Sequence, residues 1–287
     1  LIDVSYFTTL FLGMPRLKSP APRALTPPTT TAPSRAATIE ATTEPAAITG
    51  PMPGTIKNAA PAYDQVRMAD ISRSNINLCG SHCGISIGED GPSQMALEDI
   101  AMFRAVHSST VLYPSDAIST ERLTESMAGR AGINYLRTTR PKTPILYSTD
   151  ENFPIPGFKV LRQSSEDKVT VIGAGVTLHE ALKAADQLKA DGTAVRVIDL
   201  YCVKPIDGRE LAKEIAATGG RLITVEDHWA EGGIGEAVLS ALAQSGGAPA
   251  KSQLLAVREI PHSGKPDELL DAFGISARHI VEAVRRI

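Results

Sequence analysis

Cysteine is scarce: Cys79, Cys83 and Cys202 are three residues in 287. That is too few for a disulfide framework, and it leads us to expect a reducing, cytoplasmic setting. Long apolar runs are missing too, since nothing approaches the ~20 residues needed to span a bilayer. The opening LIDVSYFTTLFLG is apolar, but it has no basic leading region and contains Asp3, which argues against a secretory signal. Positive charge is not in excess. Twenty-nine Lys and Arg against 32 Asp and Glu leave a net charge of −3, so neither nucleic acid nor an anionic membrane is expected as a partner. There is one tryptophan and no internal repeat, and the first residue is Leu rather than Met, as in a piece of a longer chain.

Composition divides the chain near residue 62. Residues 1–62 hold half of the twenty prolines, centred on PAPRALTPPTTTAPSRAATIEATTEPAA. Such a segment offers neither a helical stripe nor strand alternation. It buries too little apolar surface to offset the ~1–2 kcal/mol per residue that backbone ordering costs. The expectation is low complexity and disorder; a proline-motif ligand or translated non-coding sequence are the rival readings.

From Tyr63 onward the pattern is βαβα, the mark of mostly parallel sheets with helices on both faces. A helix is expected over 63–74, a strand over 76–78, a helix over 93–106, and strands over 110–113 and 133–137. Four prolines between 141 and 158 suggest a linker. A second unit follows, with strands expected near 168–172, 194–200, 221–225 and 253–257 and helices between them. The fold class is therefore α/β: two three-layer domains, over 63–145 and 159–287, joined by a linker over 146–158.

The chemistry concentrates in NINLCGSHCGISIGEDGPSQMALED, residues 75–99. Glycines at 80, 84, 88 and 91 allow turns and close approaches that side chains would block. Among them sit His82, Glu89 and Asp90, residue types that bind hydroxyls or move protons. Arg140, beside Pro141, offers a planar fork suited to phosphate.

The stretch from Asp64 to Arg104 resembles the transketolase signature in the domain that holds the pyrimidine ring of thiamine diphosphate. The resemblance continues through YPSD (113–116), RTTRP (137–141), VTVIGAGVTLHEAL (169–182), VEDHWAEGGIGEAV (225–238) and SGKPDELLDAFGI (263–275), in family order over roughly the last 225 residues. It implies that His82 and Asp90 bind the hydroxyls of a sugar substrate, that Arg140 holds its phosphate, and that Gln94 lies beside the cofactor's aminopyrimidine. The implied activity is two-carbon ketol transfer between sugar phosphates, with thiamine diphosphate and Mg as cofactors. The implied assembly is a homodimer, or a heterodimer with a full-length relative.

What does not match the family also matters. The glutamate that activates the pyrimidine has no counterpart, because Glu40 and Glu44 lie in the Pro/Thr-rich tract. The aromatic wall of the pyrimidine, a further phosphate-binding arginine and serine, and the metal-diphosphate domain are likewise unmatched. A truncated family member, inactive as this chain alone, is therefore the leading expectation. A non-catalytic dimerisation module, or one subunit of a split enzyme, is the alternative. An unpaired edge is expected on the first sheet.

Three other patterns are weaker. GAGVTL (173–178) resembles the opening of a dinucleotide fingerprint, but its sixth position is Leu178. Cys79, His82 and Cys83 lack a fourth zinc ligand nearby. Arg137 and the 225–238 stretch read as structural, with His228 left open.

Overall fold

The computed structural model describes residues 8–10, 48–50 and 55–287, with side chains from Tyr63 onward. The remainder of the 1–62 segment, where disorder is expected, lies outside the described residues. Thr8–Leu10 (β1) and Ile48–Gly50 (β2) pair antiparallel. Helix α1 covers Thr55–Ile71, beginning eight residues before the expected start. The sequence places the boundary after the last proline of the tract, whereas the helix carries Pro61 within it.

The first sheet has the order β3-β5-β4-β9, the last of these being Cys202–Lys204. Ile76–Gly80 (β3), Ile133–Arg137 (β5) and Thr110–Leu112 (β4) run parallel, with α2 (Asp99–Ala105) and α3 (Ala117–Ala128) between them in sequence. Asp116 caps α3: its carboxylate accepts the Ser119 N–H and its own N–H donates to Ser119 Oγ. The second sheet has the order β11-β10-β7-β8-β6. Thr170–Gly173 (β7), Arg196–Asp199 (β8), Arg221–Trp229 (β10) and Lys251–Val257 (β11) are parallel, and Lys159–Arg162 (β6) is an antiparallel edge. Its helices are α4 (Val176–Ala190), α5 (Gly208–Ala216), α6 (Ile234–Gln244), α7 (Pro266–Ala272) and α8 (Ala277–Arg286).

Two departures from the expected elements have clear causes. The helix expected over 93–106 is broken into a 3-10 turn, Pro92–Gln94, and α2. Between them Ala96 adopts φ +52°, and the Met95 and Leu97 carbonyls accept the N–H groups of Gly84 and Trp229 instead of bonding within a helix. The second departure is β9, Cys202–Lys204. It leaves the second unit and pairs antiparallel with Val111 and Leu112 of β4, which covers the edge on that side of the first sheet. β3 forms the other edge, with β1 lying beside it.

The strand exchange fuses the two units. One continuous core contains Val111, Tyr113 and Tyr135 from the first sheet with Ile172, Ile198, Val203 and Leu222 from the second half. Lys204 reinforces the junction: its ammonium donates to the carbonyls of Arg104, Val106 and His107, at and just beyond the C-terminus of α2.

Residues 146–158 form no helix or strand, yet Tyr147 and Phe153 are buried. Their rings continue edge-on to Tyr201. Tyr147 donates its hydroxyl to Asp199, 2.6 Å away, and Ser115 Oγ donates to the same carboxylate at 3.0 Å. Asp199 is sealed off, and burial raises its pKa from 3.8 to about 7. A carboxyl that is harder to ionise folded than unfolded favours the native state only while protonated. Its contribution is therefore lost as pH rises from about 4 through 7. Asp199→Asn is expected to make urea stability less dependent on pH between 5 and 8; an unchanged pH slope would contradict this assignment.

Candidate functional site

Strands β3 and β5 are parallel neighbours, so the loops that follow them leave the sheet at the same edge. Ligands of open α/β sheets bind at such carboxyl ends. The pairing continues past the strands, because Thr138 N donates to the Gly80 carbonyl at 2.7 Å and Cys83 N donates to the Thr138 carbonyl at 3.2 Å. Residues 81–83 and 138–140 thus run side by side, which brings His82 toward Arg140. The glycine loop then turns back through a kinked 3-10 segment, Ile85–Asp90, with Gly88 at φ +81° and ψ −111°. That turn returns Asp90 to Arg140, and Arg140 Nη1 lies 3.1 Å from Asp90 Oδ2. Both groups are about half exposed.

His82 completes the group. It is half-buried, with φ +63°, in the left-handed region that histidine enters more readily than most residues. Burial lowers its pKa first and the Arg140 charge lowers it further, while Asp90 opposes both. A neutral imidazole, able both to donate and to accept, beside a carboxylate and a guanidinium is a set of contacts for hydroxyls and an anion. Its Nδ1 is 3.1 Å from Ser81 Oγ. The structure therefore brings His82, Asp90 and Arg140 to one edge of the first sheet. Gln94 is half-buried at the end of the 3-10 turn, and no hydrogen bond or ion pair among the described residues joins it to the three.

Beneath this exposed group lies a buried network. Arg137 is fully enclosed, and its Nε donates to both oxygens of Asp99 at 2.9–3.0 Å. Its Nη2 donates to the Asp227 carbonyl at 2.8 Å, and its guanidinium stacks 4.5 Å from the centre of the Tyr113 ring. Asp99 also accepts the Tyr135 hydroxyl at 2.6 Å. His228 is buried beside it, its pKa lowered to about 4, chiefly by burial. Neutral His228 donates from Nδ1 to the Trp229 carbonyl at 2.7 Å and accepts the Ala101 N–H on Nε2. His228 thus links β10 to the start of α2 across the seam between the two halves, as a packing residue would. Asp99 and Asp227 carry no local signal in the sequence.

The other motifs resolve into packing. Gly175 has φ +56°, and the Tyr113 ring occupies the space beside it, while Gly175 N–H donates to Ser115 Oγ at 2.9 Å. The turn that resembles a dinucleotide loop is filled by the first half of the chain. The buried glutamates among the described residues, Glu180 and Glu226, accept backbone N–H groups at the starts of α8 and α6. Among the described residues no three His, Cys, Asp or Glu side chains gather to hold a metal ion, and no helix is long and apolar enough to cross a membrane.

Comparison with known proteins returns one family throughout. Residues 58–145 match the family model described as transketolase, pyrimidine binding domain, and residues 158–280 match transketolase, C-terminal domain. Transketolase-like protein 2 of Mus musculus is 58% identical over 224 residues, covering 78% of this chain and 35% of that protein. Human transketolase is 56% identical over the same length, covering 36% of the human protein. The chain thus spans a little over a third of these curated relatives. Among solved structures, a split-gene transketolase described as an inactive beta4 tetramer superposes with a TM-score of 0.71 at 30% identity. The match covers 81% of this chain and 73% of that one. A transketolase from Campylobacter jejuni shares the fold, with a TM-score of 0.60.

Proposed function

The chain belongs to the transketolase family, and from that premise we propose that its first domain grips a sugar phosphate. His82 and Asp90 contact hydroxyls, and Arg140 holds the phosphate. The convergence of these three side chains at the carboxyl edge of one parallel sheet is the observation that carries this reading.

Two-carbon ketol transfer, the activity the family name implies, would draw on thiamine diphosphate as its electron sink. The described residues do not fit the cofactor by themselves. Gln94 stands at the position expected beside the aminopyrimidine, but the buried glutamates are engaged as helix caps and no oxygen cluster for Mg is assembled. We therefore assign this chain substrate binding and derive no chemical step through the cofactor. The resemblance to a split-gene chain crystallised as an inactive beta4 tetramer favours a second reading, in which the chain is one subunit and a partner brings the diphosphate-binding part. A reducing cytoplasm suits either reading, given three free cysteines.

Isothermal titration of the purified chain with xylulose 5-phosphate tests the grip. Arg140→Ala removes a charge-assisted contact worth about 1.5–3 kcal/mol, so affinity is expected to fall roughly 10–100-fold. Equal binding by wild type and variant would refute the role given to Arg140. Titration with thiamine diphosphate and Mg is expected to give no heat until a diphosphate-domain partner is added, and restored turnover on mixing would support the subunit reading.

A further inference from the structure

We infer that Asp227, in the second half of the chain, is a positioning residue for the sugar-phosphate loop of the first half. The inference rests on the substrate-binding reading above and deepens it. The loop over 81–91 carries 3-10 hydrogen bonds of its own and is tied to Thr138 and Met95 of the first half. Its backbone leans on the second half at two places, one on each side of its tip.

At the root, the Asp227 carboxylate accepts the Ile85 N–H at 2.7 Å and the Ser86 N–H at 3.4 Å. Gly84 precedes them at φ +91°, and any Cβ there would overlap that carboxylate. The backbone therefore lies directly on Asp227, and the absent side chain is what permits the contact. At the tip, a Cβ on Gly88 would stand 3.0 Å from Pro266 Cδ and 3.1 Å from the Gly264 carbonyl, and one on Gly91 would stand 2.7 Å from Ser263 Oγ. Asp90 lies between those two glycines. Its place is thus set by the SGKP turn (263–266) on one side and by Asp227 on the other.

Asp227 is itself held. Its carbonyl accepts Arg137 Nη2 at 2.8 Å, and Arg137 is the last residue of β5, three before Arg140. One residue of the second half is therefore bonded to the His82–Asp90 loop through its carboxylate and, through its carbonyl, to the last residue of the strand from which the Arg140 loop departs. A residue serving only as adhesive between domains would not need to fix two successive N–H groups of one loop.

The test uses the full 287-residue chain. Asp227→Asn keeps the volume but replaces one acceptor by a donor that faces an N–H. Amide hydrogen exchange at 84–90 is expected to quicken tenfold or more, with exchange in β10 and β11 within twofold of wild type. Affinity for xylulose 5-phosphate is expected to fall about tenfold. Ser263→Val, at an exposed position, keeps the question open to measurement should the buried variant fail to fold. Its added methyl is expected to weaken sugar-phosphate binding several-fold with an unchanged melting temperature. Unaltered loop exchange in Asp227→Asn, or unaltered affinity in Ser263→Val, would overturn the inference. Should the wild-type chain bind no xylulose 5-phosphate, the substrate-binding reading fails, and loop exchange alone still decides whether Asp227 positions the loop.

Discussion

Arg137→Met is expected to destabilise the chain by about 3–5 kcal/mol, the cost of leaving one member of a buried ion pair without its partner. The reason lies in what would remain. Asp99, with no exposed surface, would keep the Tyr135 hydroxyl and the Ile100 N–H but lose the guanidinium that pairs with it. The Asp227 carbonyl and the Tyr113 ring face would lose their guanidinium as well. For a folded unit of this size the loss corresponds to a fall in melting temperature on the order of 10 °C. The double variant Asp99→Asn/Arg137→Met is expected to recover much of it. The asparagine carbonyl still accepts the Tyr135 hydroxyl, and no unpaired charge is left in the core. Urea denaturation followed by Trp229 emission reads both, since this single tryptophan donates its Nε1–H to Glu98 across the seam. If Arg137→Met stays within about 1 kcal/mol of wild type, or the double variant is no better than the single, the network does not hold the halves together as described.

How far the sequence announced this arrangement differs from element to element. The βαβα order and the parallel sheets follow from hydrophobic runs bounded by glycine and proline, because strand and helix periods are local properties. His82, Asp90 and Arg140 stand out in the sequence chiefly through the family resemblance, with a glycine-rich loop and an Arg-Pro pair at the ends of two strands beside it. That they meet depends on β3 and β5 being parallel neighbours. Other features are not local. The break at Ala96 exists because Gly84 and Trp229 claim the carbonyls on either side of it. Strand β9 is three residues long, and nothing within Cys202–Lys204 says that it joins the other sheet. Asp99 and Asp227 look like ordinary surface charges until the two halves close on each other. At residues 173–175 only Leu178, in place of the fingerprint's last glycine, speaks against a phosphate-binding turn in the sequence, because such a turn and a packed one need glycine for the same steric reason.

That ambiguity can be resolved at Gly175. Replacing it by alanine is expected to cost about 2–6 kcal/mol, or to prevent folding outright, without any change in nucleotide affinity. Two penalties act together. A non-glycine residue held at φ +56° and ψ −131° carries roughly 1–3 kcal/mol of backbone strain. The new methyl would also fall inside the Tyr113 ring. Tyr113 has nowhere to go: its N–H is tied to the Tyr201 carbonyl at 2.8 Å, and the Arg137 guanidinium covers its other surroundings at 4.5 Å. Overpacking of a closed core alone costs about 1–3 kcal/mol. Tyr113→Leu in the Gly175→Ala background shrinks the obstacle but leaves the dihedral strain, so it is expected to restore stability only in part. A dinucleotide site predicts a different pattern, in which wild type binds a nicotinamide or flavin dinucleotide and Gly175→Ala loses that binding while remaining folded. Thermal melts with and without added dinucleotide distinguish the two, and a folded Gly175→Ala chain within about 1 kcal/mol of wild type would show that the glycine is not there to admit Tyr113.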